Sequence, residues 1–111
     1  MRSAVHRLRV DRHAVGHEQR GARYAVVVHA TRFDLLSRWL VAPTSTRARA
    51  MVVRPEVDWG DGPTRVLCDA LTSVDPAVRL GDMIGYLAPE AQSSVDTALA
   101  LLLDLPVPPD S

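Results

Sequence analysis

The run Tyr24-Ala25-Val26-Val27-Val28 is the stretch that most limits what this chain can fold into. It is short, apolar and rich in β-branched residues, which predicts a buried strand. Other strand patterns surround it. Ser3 to Val10 alternates weakly, with Val5, Leu8 and Val10 apolar, and predicts a first strand. Asp11 to Gly21 is polar with two glycines and reads as a loop. Thr31 to Ser37 suits a helical turn, and Trp39 to Ala42 reads as a strand ended by Pro43. Met51 to Val57 and Thr64 to Asp69 flank the turn-rich Asp58-Trp59-Gly60-Asp61-Gly62-Pro63, so the pair predicts a hairpin with a long loop.

Asp75-Pro76 has the form of an N-cap followed by proline at the first helical position, predicting one helical turn. Asp82 to Leu87 reads as a last strand. Pro89 then opens a helix to about Asp104, with Val95, Ala98, Leu99 and Leu102 on one apolar face. The expected fold is mainly β with α: a bent antiparallel sheet or partly open barrel of five or six strands, closed by that C-terminal helix. Residues 1–105 form a single domain, and residues 106–111 a proline-rich flexible tail.

Apolar residues make up 47% of the 111, which excludes a disordered chain. The single cysteine, Cys68, excludes an internal disulfide and reads as a small buried residue. The N-terminus lacks a secretory apolar core, and the run near Ala98 to Leu103 is too short for a bilayer. These readings point to a cytoplasmic protein with no membrane role. Zero net charge conceals an asymmetry: residues 1–54 carry 11 arginines against three acids, while residues 55–111 carry two arginines against ten. Either the basic half meets a polyanion or the halves interleave and neutralise each other. The histidines show no metal-ligand spacing, and no cofactor is expected. His29, ending a buried strand, reads as structural. Trp39 reads as core, and Trp59, in the turn, as an exposed platform for a base.

Two places are dense in chemistry. Gly16-His17-Glu18-Gln19-Arg20-Gly21-Ala22-Arg23 runs straight into the buried strand, and Thr44-Ser45-Thr46-Arg47 follows a strand end. A polar loop on a rigid strand suits a binding site, and hydroxyls with arginine suit phosphate oxygens. The same residues are also compatible with a solvated loop and an ordinary turn.

At these places a family pattern emerges. GHEQRGARYAVVV resembles the GSEQ-x-G-x-RP-VVV segment of the MazF/PemK toxin endoribonucleases, and VAPTSTRA resembles their VAPITS. TRVLCDALTSVD is similar to their SVVLADQIRTVD, and LGDMIGYLAPEAQSSVDTALALLLDL to their last strand and helix. The resemblance covers nearly the whole chain in order. It implies an SH3-like barrel, a homodimer, metal-independent cleavage of single-stranded RNA such as messenger RNA, and a cognate antitoxin that blocks the RNA groove. It places catalysis on Arg23 and on the Ser45 hydroxyl, with Thr44 as the alternative register. Substrate contact would fall to His17, Glu18, Gln19, Arg20, Thr46, Arg47 and Asp69; the resemblance implies proton transfer by Arg23 as well, with Glu18 and His17 as alternatives. The chain departs from the pattern at Ser3 for glycine, Ala4 for an acid, His17 for serine, Tyr24 for proline, Ala70 for glutamine and Thr72 for arginine. Those changes keep two other readings in view. One is a non-catalytic relative that binds a protein such as DNA gyrase, against which the Pro-Pro-Asp-Ser ending argues. The other is a decayed member that binds only its antitoxin.

Overall fold

The computed structural model describes residues 1–9 and 23–109. Its elements in order are β1 (Ala4–Leu8), β2 (Tyr24–Val27), β3 (Trp39–Ser45), β4 (Glu56–Val57), β5 (Thr64–Val66), β6 (Thr72–Val74), α1 (Pro76–Arg79), β7 (Leu80–Tyr86) and α2 (Pro89–Leu103). Short 3-10 turns cover Thr31–Phe33 and Cys68–Ala70. The strands form one curled antiparallel sheet, ordered β4-β5-β3-β2-β1-β7, with β6 also on β3. The expected loop from Asp11 to Gly21 and the end of the first strand at Val10 lie outside the described residues.

β2 sits between β1 and β3, and Ala25, Val26 and Val27 are all fully buried. A strand covered on both faces must be apolar on both, which explains the unbroken run. Its residues feed two clusters. Val26 joins Val5, Ala42, Val57, Val66, Cys68, Val95 and Ala98, where α2 covers the sheet. Ala25 and Val27 join Ala4, Val41, Val74 and Leu80 on the other face, backed by Leu8 and Trp39. Each buried valine contributes about 1.5–3 kcal/mol relative to exposure, so this one strand carries a large share of the core's cohesion.

β3 runs straight through Pro43, where a strand end was expected. Pro43 pairs with Ala25 on the β2 side. On its other side β3 changes partner, from β6 at Trp39–Val41 to β5 at Thr44–Ser45. Pro43 falls in that changeover, where its missing N–H leaves no ladder bond unmade. Past the changeover Thr44 and Ser45 pair with β5, which brings them to the β4–β5 hairpin.

The hairpin is shorter than the sequence suggested. Only Glu56↔Arg65 and Val57↔Thr64 pair, while Met51–Arg54 makes a turn and Cys68–Ala70 a 3-10 turn. β6 is a strand that its exposed Thr72 and Ser73 concealed, giving seven strands where five or six were expected.

Helix α2 starts at Pro89 as expected. It is seated by polar contacts: Ser3 Oγ donates to Gln92 Oε1 at 2.6 Å, Gln92 Nε2 to Asp96 Oδ1 at 2.8 Å, and Arg2 pairs with Asp96. Ser3 has a φ of 73°, so the position where the family pattern has glycine is left-handed here. Its backbone bonds to Val27 and Leu87 offset that strain. Leu101, Leu102 and Leu103 are exposed, so the expected apolar face is buried at Val95 and Ala98 but not in the last turn. Residues 106–109 have no secondary structure and are exposed.

Trp39 packs on the second cluster and donates Nε1 to the Asp34 carbonyl at 3.1 Å. His29 stands edge-on to Trp39, its Nδ1 2.9 Å from the Ala30 carbonyl. Its Nε2 is buried without a hydrogen-bond partner among the described residues, 3.5 Å from Asp34 Oδ1, so this structural histidine is only half satisfied.

Cys68 is buried in the core, and burial pushes its thiol up to about 11, helped by the charges of Asp69 and Asp96. An unfolded thiol ionises near ~8.5, so the folded chain holds this proton more tightly. The resulting stability is complete below the unfolded value and is lost as pH rises toward the folded one. Thermal midpoints should therefore fall between roughly pH 8.5 and 11, and Cys68→Ala should show a shallower slope over that window. Parallel slopes for the two proteins would contradict this reading.

Candidate active site

The start of β2, the end of β3 and the β4–β5 hairpin meet around one cavity of about 500 Å³. Its lining on the β2–β3 side is Arg23, Tyr24, Thr44, Ser45, Thr46 and Arg47. The hairpin side supplies Trp59, Asp61, Gly62 and Thr64.

Arg23 immediately precedes β2, and its carbonyl accepts from Leu8 N at 2.8 Å, which ties its backbone to the end of β1. Its Nε is buried and has no hydrogen-bond partner among the described residues. Leaving such a donor unmade costs about 1–3 kcal/mol, which an oxyanion in the cavity would recover.

The two hydroxyls on β3 differ. Thr44 is buried and donates to the Tyr24 carbonyl over a long 3.4 Å. Ser45 Oγ accepts from Arg47 N at 3.2 Å, which leaves its O–H free to donate elsewhere. Thr46 and Arg47 are exposed at the rim. Arg47 makes no side-chain hydrogen bond or ion pair among the described residues.

Tyr24, where the family pattern has proline, packs edge-to-face on Trp59 with ring centres 5.7 Å apart, and Arg7 stands 5.8 Å from its ring. Trp59, expected to be exposed, is half-buried: it packs on the core beneath it and also lines the cavity.

Six sequence-derived residues thus converge on one cavity: Arg23, Thr44, Ser45, Thr46, Arg47 and Trp59. His17, Glu18, Gln19 and Arg20 lie outside the described residues. Asp69 is not part of the lining. It is held by Arg54, whose Nε and Nη2 donate to its two oxygens at 3.0 and 2.8 Å. That fork holds its carboxyl below the usual range. The Arg2–Asp96 and Arg54–Asp69 pairs join the basic half to the acidic one, so the charge asymmetry is partly neutralised within the fold. Tyr24, Asp61, Gly62 and Thr64 were not singled out by sequence as site residues. The signal for the last three was the turn chemistry of the hairpin, which reads as structure alone.

A curled, mainly β domain with a C-terminal helix and an arginine–hydroxyl cavity is the class of protein this geometry defines. Residues 2–103 match the family described as PemK-like, MazF-like toxin of type II toxin-antitoxin system. A Mycobacterium tuberculosis (strain H37Rv) relative, Rv3098A, provisionally named a toxin, is 37% identical over 105 residues, covering 95% of this chain and 98% of the relative. The chain belongs to the PemK/MazF family of type II toxins. Solved structures agree in fold. The toxin MazF-mt6 of M. tuberculosis superposes with a TM-score of 0.73 at 23% identity, over 92% of this chain and 97% of that one. A mycobacterial endoribonuclease in complex with its cognate antitoxin gives 0.77 at 23%, over 97% and 98%.

The hairpin wall depends on glycine. Gly60 and Gly62 have φ of 115° and 90°, and Asp58 Oδ1 accepts from both their N–H groups, at 2.7 and 3.2 Å. A Cβ at either meets no atom within 4 Å, so a side chain there is opposed by the backbone alone. Gly60→Ala and Gly62→Ala should each lower unfolding free energy by about 1–3 kcal/mol in urea titration. Wild-type midpoints for both would show that the loop adopts another conformation.

Proposed function

We propose that this protein is the endoribonuclease of a type II toxin–antitoxin pair and cuts single-stranded RNA, messenger RNA among its targets, without a metal ion. The observation that carries the reading is the buried Nε of Arg23, without a hydrogen-bond partner among the described residues, in a cavity that also holds the Ser45 hydroxyl. Family membership and the mycobacterial neighbour described as an endoribonuclease support it.

RNA supplies its own nucleophile. The 2′-OH attacks the adjacent phosphorus, the new bond to O2′ forms as the bond to O5′ breaks, and a 2′,3′-cyclic phosphate and a 5′-OH result. One proton leaves the 2′-OH and one reaches O5′. Arg23 binds the non-bridging oxygens and stabilises the charge that grows on them. Ser45 donates to the same phosphate, and Thr44 is the alternative in the neighbouring register. Arg47 and Thr46, at the rim, hold flanking phosphates. For the proton transfers the candidates are Arg23 itself, His17 and Glu18.

A second copy of the chain is proposed to complete the groove. β7 is the last strand in the sheet order, and its Met83, Ile84 and Tyr86 are exposed. An antitoxin segment occupying the same cavity would block RNA, in line with the neighbour described in complex with its cognate antitoxin.

Purified protein incubated with a mixed RNA pool and a chelator should yield cut ends at a recurring short sequence. Under single turnover, Arg23→Ala should lower the rate by ~10²–10³, and Ser45→Ala or Thr44→Val should identify the working hydroxyl by the larger loss. Cutting by Arg23→Ala at the wild-type rate would remove Arg23 from the mechanism. An uncut pool at high protein concentration would favour a binding-only member of the family.

A further inference from the structure

The hairpin wall of the cavity has no part in the phosphate chemistry, yet its turn is held by side-chain bonds of its own. We propose that it reads a nucleobase: the base beside the bound phosphate stacks on Trp59 and presents N–H donors to the Asp61 carboxylate, so guanine is favoured and uracil disfavoured. The inference rests on the ribonuclease reading for its ligand class.

Three features carry it. The first is rigidity. The Asp58 carboxylate oxygen gathers the N–H groups of Gly60 and Gly62, and both glycines hold backbone angles that other residues resist. A loop fixed in this way presents its side chains at set positions before any ligand arrives, which lowers the entropic cost of binding.

The second feature is the seat of Trp59. Tyr24 holds the indole edge-to-face at 70°. Gly85 of β7 also lies against it, so close that a Cβ there would sit 3.2 Å from Trp59 Cδ1. An indole held by its neighbours and still lining the cavity is a stacking surface with little freedom to lose.

The third feature is Asp61. It is exposed on the cavity wall and makes no hydrogen bond or ion pair among the described residues. A bare carboxylate beside a phosphodiester repels it. Its position is favourable only if the ligand brings a donor to it, because an ionised carboxylate only accepts. Nucleobases differ in this respect. Guanine offers N1–H and N2–H side by side, matching two carboxylate oxygens. Cytosine and adenine offer one amino group each. Uracil offers a single N–H between two carbonyls, which the carboxylate repels. Arg23 and Arg47 on the opposite wall and Asp61 on this one thus divide the cavity into a phosphate side and a base side.

The test pairs binding with cutting on the full chain. Uncleavable 2′-O-methyl tetranucleotides, uracil throughout except for one varied position, are titrated calorimetrically. The same proteins are incubated with a random RNA pool, and the cut ends are sequenced. Wild type should bind a guanine-containing member at least about tenfold more tightly than the all-uracil one, and Asp61→Asn should bring the two within about twofold. Trp59→Leu should weaken every sequence about fivefold or more while Trp59→Phe, which keeps a π face, stays within about twofold of wild type. Because Trp59 also packs on the core, thermal unfolding of both Trp59 variants accompanies the titration, and Asp61→Asn, an exposed change, tests the reading independently. Retention of the guanine preference by Asp61→Asn overturns the inference, as does wild type binding no tetranucleotide. Binding with the expected preference but an uncut pool would sink the ribonuclease reading and keep the inference. Cutting with a base profile unchanged in Asp61→Asn would do the reverse.

Discussion

Burial of β2 on both faces is the constraint on which the rest of the structure depends. Ala25, Val26 and Val27 lose all contact with water because β1 and β3 flank them and the two core clusters close above and below. A one-residue slip would exchange the two faces and break both clusters, so the register is strongly specified. That register fixes the site. Arg23 is the residue before this strand, and Ala25↔Pro43 pairing brings Thr44 and Ser45 alongside it. Cavity geometry is therefore a consequence of core packing: Arg23, Thr44 and Ser45 sit on or beside strands whose register the core sets.

The partner change along β3 provides the second element. β3 pairs with β6 at one end and with β5 at the other, and Pro43 lies between the two pairings without losing a bond. The hairpin on β5 thereby lies by the start of β2, where Trp59 packs on Tyr24. This interlock gives a physical role to Tyr24, the residue that departs from the family's proline. At Ser3, the other departure with a visible consequence, a side-chain bond to Gln92 accompanies the left-handed backbone and couples β1 to α2.

Much of this was legible in the sequence, for reasons that differ by residue. Tyr24–Val28 and Pro89–Asp104 were readable because burial on both strand faces and helical periodicity leave strong patterns, and Asp75-Pro76 because its capping chemistry is local: the Asp75 carboxylate does accept from Ala77 N. β6 was not readable, since two of its three residues face solvent and its strand character comes from pairing with β3. Pro43 was misread because its tolerance depends on which strand lies opposite. The exposed last turn of α2 lies beyond what periodicity can tell, because periodicity marks an apolar face and not what covers it. The site divides in the same way. Arg23, Thr44, Ser45, Thr46 and Arg47 are close in sequence to strand ends and met as expected. Of the hairpin wall only Trp59 was anticipated, because Asp61 and Gly62 resemble ordinary turn residues and Thr64 an ordinary strand residue. Asp69, taken for a substrate contact on resemblance, is engaged by Arg54.

The central claim is that the substrate's own 2′-OH is the nucleophile, with Arg23 and a β3 hydroxyl on the phosphate. It is tested most directly by an RNA carrying a single 2′-deoxynucleotide on the 5′ side of the cut position, compared with the all-ribose strand. The account predicts that the ribose strand yields a 2′,3′-cyclic phosphate and a 5′-OH, and that the single deoxy substitution abolishes cutting at that bond while leaving binding intact. Cleavage of the deoxy-substituted bond, or fragments bearing a 5′-phosphate, would contradict it.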